Sequence, residues 1–389
     1  MRRLALLTAF VLAGLGAALL FDVDAASLPH SDAYHWMAYL LLAIGLYGAT
    51  YGIDLGQARH DKKIIVSAVT VGVVAKALII GGVLALAWRD PLFLLLGVAV
   101  AQIDPLSVAA LMGDGRMSPR ARTILAAWSS FDDPITVILT VYAAAVAAAF
   151  GLGTASAAAD GSWLADYAVD LVGNVGLAAA AWLVWRHLRP PLWLRYLLLV
   201  GCAVAAMFTG WMLAMALIGL FARPPALQRL MPRITEAAMY AAAVALGVLL
   251  VGGIDLPAGI ALGAVAFAAQ ALVAWPLTRG MPRADRWHLA AAQQHGITAI
   301  ILALTLEIQF TGVVAVIAPT ILTANVLHMA VNHLLDRRLT HATPARASGD
   351  AVVAVAVADP VAAQPASIPT QPATPDQPDP ADRPLPGAQ

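Results

Sequence analysis

Long apolar stretches constrain this chain more than any other feature of its sequence. Of its 389 residues, 61% are hydrophobic and only 12% are charged, and the mean hydropathy is +0.79. About 20 apolar residues in a helix cross the roughly 30 Å core of a bilayer. The sequence therefore predicts an all-α polytopic membrane protein with about twelve transmembrane helices. These are placed at residues 4–20, 36–56, 64–88, 91–112, 122–150, 167–187, 193–208, 210–222, 234–252, 257–275, 288–306 and 312–334.

Charge, cysteine and motif content narrow the classes of function. Lys plus Arg and Asp plus Glu both number 23, so no net charge favours a nucleic-acid partner. The single cysteine, Cys202, excludes an intramolecular disulfide and a thiolate zinc site. The sequence also lacks the glycine-rich phosphate-binding motif of ATP-driven pumps. A secondary transporter, a channel or an intramembrane enzyme remains, with no cofactor expected.

Basic residues set the predicted orientation. Apart from Arg89, the Lys and Arg residues of the predicted loops fall on one side, which is expected to be cytoplasmic, as are both termini. Residues 193–222 could form one long helix, but two Arg-rich loops would then lie outside, so we split this stretch at Thr209-Gly210. The first stretch also fits a signal peptide, whose cleavage would leave the remaining topology unchanged. The Ala- and Arg-rich composition favours a bacterial cytoplasmic membrane.

The last part of the chain differs in composition from the rest. Residues 341–389 are rich in Pro, Ala, Gln and Asp and have no apolar period. Such a composition is typical of disorder. We therefore predict a transmembrane domain over residues 1–340 and a disordered cytoplasmic tail over residues 341–389.

An internal repeat is indicated by the tetrapeptide Gly-Ile-Asp-Leu, which occurs at 52–55 and at 253–256. The predicted topology gives the two copies opposite orientations. Each copy is followed by an ordinary span, a span with a helix breaker at mid-depth, and a closing span. Inverted repeats of this kind, with two discontinuous helices that cross at the midplane, are common in secondary transporters. The breakers are Asp104-Pro105 and His295-Gly296, and the ion-binding core is predicted to include residues 64–150 and 257–334.

Four charged residues fall near the middle of predicted spans. A charge at mid-bilayer costs several kcal/mol, so each one needs a partner, water or a function. At about 1.5 Å per helical residue, all four lie about 15 to 20 Å deep, near one central plane. They are Lys76, Asp104, Asp132 and Asp133.

The tripeptide Asp132-Asp133-Pro134 is the most informative of these positions. Adjacent carboxylates point about 100° apart on a helix, so the two cannot serve one spot equally. Pro134 withholds an N–H and frees the carbonyl of Ser130. Together with the hydroxyls of Ser129 and Ser130, these groups form an oxygen-rich site suited to a hard cation. A structural salt bridge is the alternative interpretation.

The remaining polar residues allow two interpretations each. Asp104-Pro105 either lines a cavity or makes a simple kink. Lys76 either neutralises Asp132 or Asp104, or snorkels to the surface. His295 either titrates as a charge-compensating group or packs as a hydrogen-bonded residue.

For the other polar residues of the second half we predict only the environment of the side chain. Asn325 is expected to face the slot that the paired aspartates occupy in the first repeat. Glu236 and Glu307 fall near span ends and are expected to face water. His328, Asn332 and His333 are interpreted as a solvated helix end.

Three segments resemble the monovalent cation/proton antiporter superfamily. Residues 103–108, Ile-Asp-Pro-Leu-Ser-Val, resemble its unwound Thr-Asp-Pro-Val-Ala-Val segment. Residues 118–134 resemble its ion-binding helix, which carries Asn-Asp or Asp-Asp. Residues 295–306 resemble its other discontinuous helix, which often begins Arg-Gly. The resemblance extends in order and hydropathy over residues 36–334, with the first two segments the more specific.

This resemblance implies an activity and an assembly. It implies alternating access by a core domain that moves against a dimerisation domain, in a homodimer, with Asp133 exchanging protons for Na⁺, Li⁺ or K⁺. An Asp-Asp pair resembles the electrogenic branch. Members of that branch usually carry a Lys where this chain has Gln270, in the second repeat. Lys76 occupies the pseudo-symmetric position in the first repeat and is therefore expected to act as the partner of Asp132. Ile103 and His295 also replace the family's Thr and Arg, which leaves stoichiometry and ion preference open.

We therefore predict a transporter, not an enzyme, that exchanges a monovalent cation, Na⁺ first among them, for protons. Its ion- and proton-binding residues are Asp132, Asp133, Asp104 and Ser130, with Lys76 and His295 compensating charge. A cation channel or a non-transporting sensor of the same fold is the alternative. An intramembrane aspartyl protease would also need two membrane carboxylates, but the setting typical of its second Asp is absent from the sequence.

Overall fold

The computed structural model describes residues 2–51, 61–104, 108, 117–149, 163–188 and 191–341. Regular structure in these ranges is entirely helical, as the predicted fold class requires. The first Gly-Ile-Asp-Leu copy, Pro105, and the predicted tail from residue 342 onward lie outside the described residues. The helices are α1 (Arg2–Leu20), α2 (Asp32–Tyr51), α3 (Lys62–Ser67), α4 (Val73–Trp88), α5 (Leu92–Ala99), α6 (Pro119–Ala149), α7 (Trp163–Leu183), α8 (Leu192–Thr209), α9 (Met212–Gly219), α10 (Pro225–Leu249), α11 (Leu256–Leu277), α12 (Arg283–Ala290), α13 (Ile297–Glu307) and α14 (Val313–His341).

Seven helical stretches in the described part of the chain are long and apolar enough to cross a membrane. Shorter apolar helices run over Leu4–Leu20 and Ile297–Glu307. Each of the twelve predicted spans contains at least one helix, so the prediction of a multi-pass, all-helical protein is confirmed. The seven stretches are Lys63–Trp88, Pro119–Ala148, Ala168–His187, Leu192–Thr209, Pro225–Gly252, Leu256–Leu277 and Val313–Arg338.

The split at Thr209-Gly210 lies where the charge pattern placed it. Gly210 ends α8 with a φ of +78°, a left-handed conformation that glycine adopts without a Cβ penalty. The short helix α9 then begins at Met212. Its N-terminal turn is capped by Asn174 of α7, whose Oδ1 accepts a hydrogen bond from Ala214 N at 2.8 Å. The two short predicted spans are therefore separate helices.

Two predicted spans are interrupted, and these interruptions organise the core. The first begins as α5, whose helix ends at Ala99, and residues 101–104 have no regular structure. The second consists of α12, an unwound stretch over residues 292–296, and α13. Unwound backbone at membrane depth is tolerated only where protein or a cavity surrounds it. In this protein α4 and α6 pack against α5, and α6, α11 and α14 pack against α12, so helices border both unwound stretches.

The helix that carries Lys76 has an irregular turn of its own. A π-helical turn over Ala68–Gly72 joins α3 to α4, so that Lys76 lies in the first turn after it. Helix α4 also packs closely on α5. A Cβ at Gly81 or at Gly97 would collide with the backbone of the other helix, so the two glycines permit this approach. The first half-helix is thus fixed against the helix that bears the buried lysine.

Candidate functional site

The two unwound segments cross and are joined by hydrogen bonds. Asp104 N donates to Gln294 O at 3.0 Å. The amide of Gln293 donates to Gln102 O at 2.7 Å and to Val100 O at 3.2 Å. These bonds replace the helical bonds that the segments lack, as backbone polar groups in a membrane require. The prediction of two crossed discontinuous helices is therefore confirmed.

Asp132 contacts the first unwound segment and the buried lysine. Its Oδ2 accepts hydrogen bonds from Lys76 Nζ at 2.9 Å and from Ile103 N at 3.0 Å. Both side chains of the ion pair have no exposed area. The ammonium also lies 5.6 Å from the ring centroid of Trp128, a cation–π distance. Of the two carboxylates considered for Lys76, the structure pairs it with Asp132.

Asp133 points to the second interrupted span. Its Oδ2 accepts a hydrogen bond from Thr298 Oγ1 at 2.7 Å. With the amide of Gln102 oriented to satisfy its neighbours, Gln102 donates to Asp133 Oδ1 at 3.0 Å and accepts from Ala299 N at 2.9 Å. Asp133 therefore lies at the N-terminal end of α13, where the helix dipole favours negative charge. These two hydrogen-bond donors, Thr298 and Gln102, are uncharged, unlike the lysine beside Asp132.

Asp104 completes a group of three buried carboxylates at the crossing. Its side chain is buried against Gly296, and a Cβ at residue 296 would collide with the carboxyl group. Gly296 comes two residues before Thr298, so Asp104 and Asp133 both approach the start of α13. The oxygen ligands here are carboxylate, hydroxyl and amide, which suit a hard cation. The three carboxylates alone do not form a metal site, because no group of three or more His, Cys, Asp and Glu side chains among the described residues could hold a metal ion.

Two predicted site residues have other contacts in this structure. The hydroxyl of Ser130 donates to Ala126 O at 2.7 Å, within its own helix. The ring of His295 is buried, and within the described ranges neither ring nitrogen has a hydrogen-bond partner. Gln270, where the resemblance leads one to expect a lysine, donates to Leu289 O at 3.1 Å. The roles predicted for Ser130 in ion binding and for His295 in charge compensation remain predictions.

Three residues that contact the carboxylates or the crossing were not singled out from the sequence, namely Gln102, Gln293 and Thr298. Each lies within three residues of a predicted break. Unwound backbone groups need polar partners, so neighbouring amides and hydroxyls were the available signal. Their polarity alone did not distinguish them from other polar residues of the spans.

The interpretation of the last span's polar residues as a solvated helix end is wrong for His328 and Asn332, which are both 7% exposed. His328 Nδ1 lies 2.6 Å from Ala291 O, and Asn332 Nδ2 donates to the same carbonyl at 3.1 Å. Asn332 Oδ1 lies 3.2 Å from His288 Nδ1. The cause is the break in the helix, because the carbonyl of Ala291 at the end of α12 needs donors from outside its own helix.

Glu307 also does not face water. It is 8% exposed and accepts hydrogen bonds from Gly312 N and Val314 N, each at 2.7 Å. These donors lie at the beginning of α14, where backbone N–H groups have no partner within the helix. Glu307 therefore caps α14, whereas Glu236 is exposed on the protein surface.

No protein-family model and no curated protein sequence matches this chain. Its structure is similar to the sodium proton antiporter MjNhaP1 from Methanocaldococcus jannaschii, with a TM-score of 0.59 and 17% sequence identity. The similarity covers 86% of this chain and 90% of that one. This protein therefore has the fold of that antiporter.

Proposed function

We propose that this protein is a secondary active transporter that exchanges a monovalent cation, Na⁺ first among the candidates, for protons by alternating access. The single observation that carries the proposal is the environment of Asp133. This carboxylate is 1% exposed and accepts hydrogen bonds from a hydroxyl and an amide. The antiporter-like fold supports the same conclusion.

The chemistry follows from the cost of burying a charge. An isolated ionised carboxylate is strongly disfavoured away from water unless a positive charge neutralises it. Asp132 has that charge in Lys76 at 2.9 Å, whereas the hydrogen-bond donors to Asp133 among the described residues, Thr298 and Gln102, are neutral. A bound cation or a bound proton would neutralise Asp133 equally well. The two would therefore compete for one site, which is the requirement for exchange.

Alternating access requires the site to open to each side in turn. Asp133 and Asp104 lie where two half-helices from opposite repeats meet, so a movement of this crossing would change access without dismantling the site. We place Asp104 beside Asp133 as a second ion-binding carboxylate and Lys76 as the charge compensator of Asp132. Ser130 would contribute its backbone carbonyl, because its hydroxyl is engaged with Ala126.

The membrane, the orientation and the oligomeric state of the protein are also proposals. The apolar helices require a lipid membrane, and we place the protein in a bacterial cytoplasmic membrane with both termini in the cytoplasm. A homodimer is proposed from the resemblance described above. The substrates are small cations and protons, and no cofactor or enzymatic activity is proposed.

The test is proton flux in proteoliposomes that contain the full chain and a pH-sensitive dye. Addition of Na⁺, Li⁺ or K⁺ is expected to move protons, and Asp133→Asn is expected to abolish this movement. Asp24→Asn is the matched control, because it makes the same chemical change at an exposed loop residue. Cation-dependent proton movement that survives Asp133→Asn would contradict the assignment of the site.

The alternative function is a cation channel or a sensor of the same fold. The same liposomes distinguish it, since a channel would pass the cation without a coupled movement of protons in the opposite direction. A sensor would bind the cation without moving either ion. Either result in folded wild-type protein would replace the antiporter proposal.

A further inference from the structure

Three polar side chains of α14 face the second interrupted span. Asn325, His328 and Asn332 are spaced three and four residues apart, so they lie on one side of the helix. We name these three residues the polar stripe. Its hydrogen bonds to other elements go to the end of α12 or to the unwound segment after it.

Asn325 makes the contact closest to the carboxylates. Its Oδ1 accepts a hydrogen bond from His295 N at 3.0 Å, and its Nδ2 donates to His295 O at 2.9 Å. The side-chain amide thus satisfies both backbone groups of one residue, as a neighbouring β-strand would. His295 precedes Gly296, which lies against Asp104, and Thr298, which donates to Asp133.

The first half of the core contains a corresponding contact. Asp132 Oδ2 accepts from Ile103 N across 29 sequence positions, and Asn325 Oδ1 accepts from His295 N across 30. Ile103 precedes Asp104, just as His295 precedes Gly296. In each repeat, a side chain of the closing helix therefore holds the residue before the contact between Asp104 and Gly296.

We propose that Asn325 is a positioning residue of the cation site. It fixes the backbone of His295 and thereby places Gly296 against Asp104 and the hydroxyl of Thr298 on Asp133. It does not touch the cation itself. This inference rests on the proposed function, because its consequence is the affinity for the transported cation.

The inference predicts two linked changes in Asn325→Ala. Backbone hydrogen–deuterium exchange of the segment 291–298 is expected to rise, because the N–H of His295 loses its acceptor. The apparent KM for the cation is expected to rise about tenfold or more, the usual cost of removing a group that orients a metal ligand, with a smaller change in maximal rate. Asn325→Gln, which keeps the amide on a longer side chain, is expected to fall between Asn325→Ala and the wild type.

Asn174→Ala is the matched control. Asn174 also satisfies a backbone group with a side-chain amide, but it does so at the N-terminal turn of α9 and not at either unwound segment of the crossing. Its removal is expected to lower thermal stability and leave the KM unchanged. An increase in KM equal to that of Asn325→Ala would show a general structural effect and overturn the inference.

Two further outcomes would also overturn it. Unchanged exchange of the segment 291–298 in Asn325→Ala would show that Asn325 does not hold this backbone. Increased exchange with an unchanged KM would show that the segment does not set cation affinity. Failure of the proposed function is recognised separately, because the wild-type protein itself would then show no cation-dependent proton flux, and the inference would fall with it.

Discussion

In both halves of the core a side chain hydrogen-bonds to the backbone of an unwound segment, but the two side chains differ in charge. In the first half, Asp132 holds the N–H of Ile103 and is itself neutralised by the buried ammonium of Lys76. In the second, the neutral amide of Asn325 holds both backbone groups of His295. An uncharged side chain is therefore sufficient to hold an unwound segment of this fold. The charge of Asp132 exceeds what the backbone requires, which favours a functional reason for it.

The largest effect expected from this comparison concerns Lys76. Lys76→Met leaves Asp132 buried without its positive partner, and breaking a buried pair in this way costs about 3–5 kcal/mol. We expect a marked fall in the midpoint of thermal unfolding in detergent. The double variant Lys76→Met, Asp132→Asn would make the first half resemble the second, and it should recover much of the loss. An unchanged midpoint in Lys76→Met would mean that the pair does not stabilise the first half.

A smaller effect is expected at Gly296, the counterpart of Asp104 at the crossing. Gly296→Ala places a Cβ against the Asp104 carboxyl group, and overpacking of this kind costs about 1–3 kcal/mol. We also expect reduced cation-dependent proton flux, because the added Cβ would displace the carboxyl group of Asp104, which we propose to bind the cation. Gly82→Ala is the control, since nothing lies within 4 Å of a Cβ built there. Equal behaviour of the two variants would argue against close contact between the repeats at this point.

The smallest effect is expected from an ion pair outside the crossing. Arg120 Nη2 lies 2.7 Å from Asp61 Oδ1, but the arginine side chain is 55% exposed. Water and salt screen such a pair, so Arg120→Ala should leave the unfolding midpoint and the flux nearly unchanged. The comparison with Lys76→Met, made by the same thermal scan, separates the effect of burial from that of pairing. A loss as large as that of Lys76→Met would remove this distinction.

Hydropathy and helix breakers predicted the course of the chain well. The split at Thr209-Gly210 and the breaks near Asp104 and His295 followed from charge placement, from proline and from glycine, all of which act locally. The helical rise per residue also predicted one common depth for Lys76, Asp104, Asp132 and Asp133. These properties depend on position along a helix, which the sequence contains directly.

The contacts of the site could not be predicted in the same way. Depth along a helix does not give the direction of a side chain, so the sequence could not choose between Asp132 and Asp104 as the partner of Lys76. Thr298 and Asp133 are 165 positions apart, and no local pattern connects them. The burial of His328 and Asn332 depends on a carbonyl exposed by a break in another helix. Partners created by the crossing are therefore visible only in three dimensions.

The ion pair at the crossing also bears on how the protein is made. Lys76 and Asp132 are 56 positions apart, whereas the hydroxyl that Asp133 contacts comes 165 positions after it. Because synthesis runs from the N-terminus, Lys76 is translated before Asp132. The neutralising group of Asp132 thus belongs to the first repeat, whereas Asp133 contacts Gln102 from that repeat and gains the hydroxyl of Thr298 only when most of the chain has been translated. The order in which residues are synthesised therefore leaves the surroundings of Asp133 incomplete until the second repeat has been made.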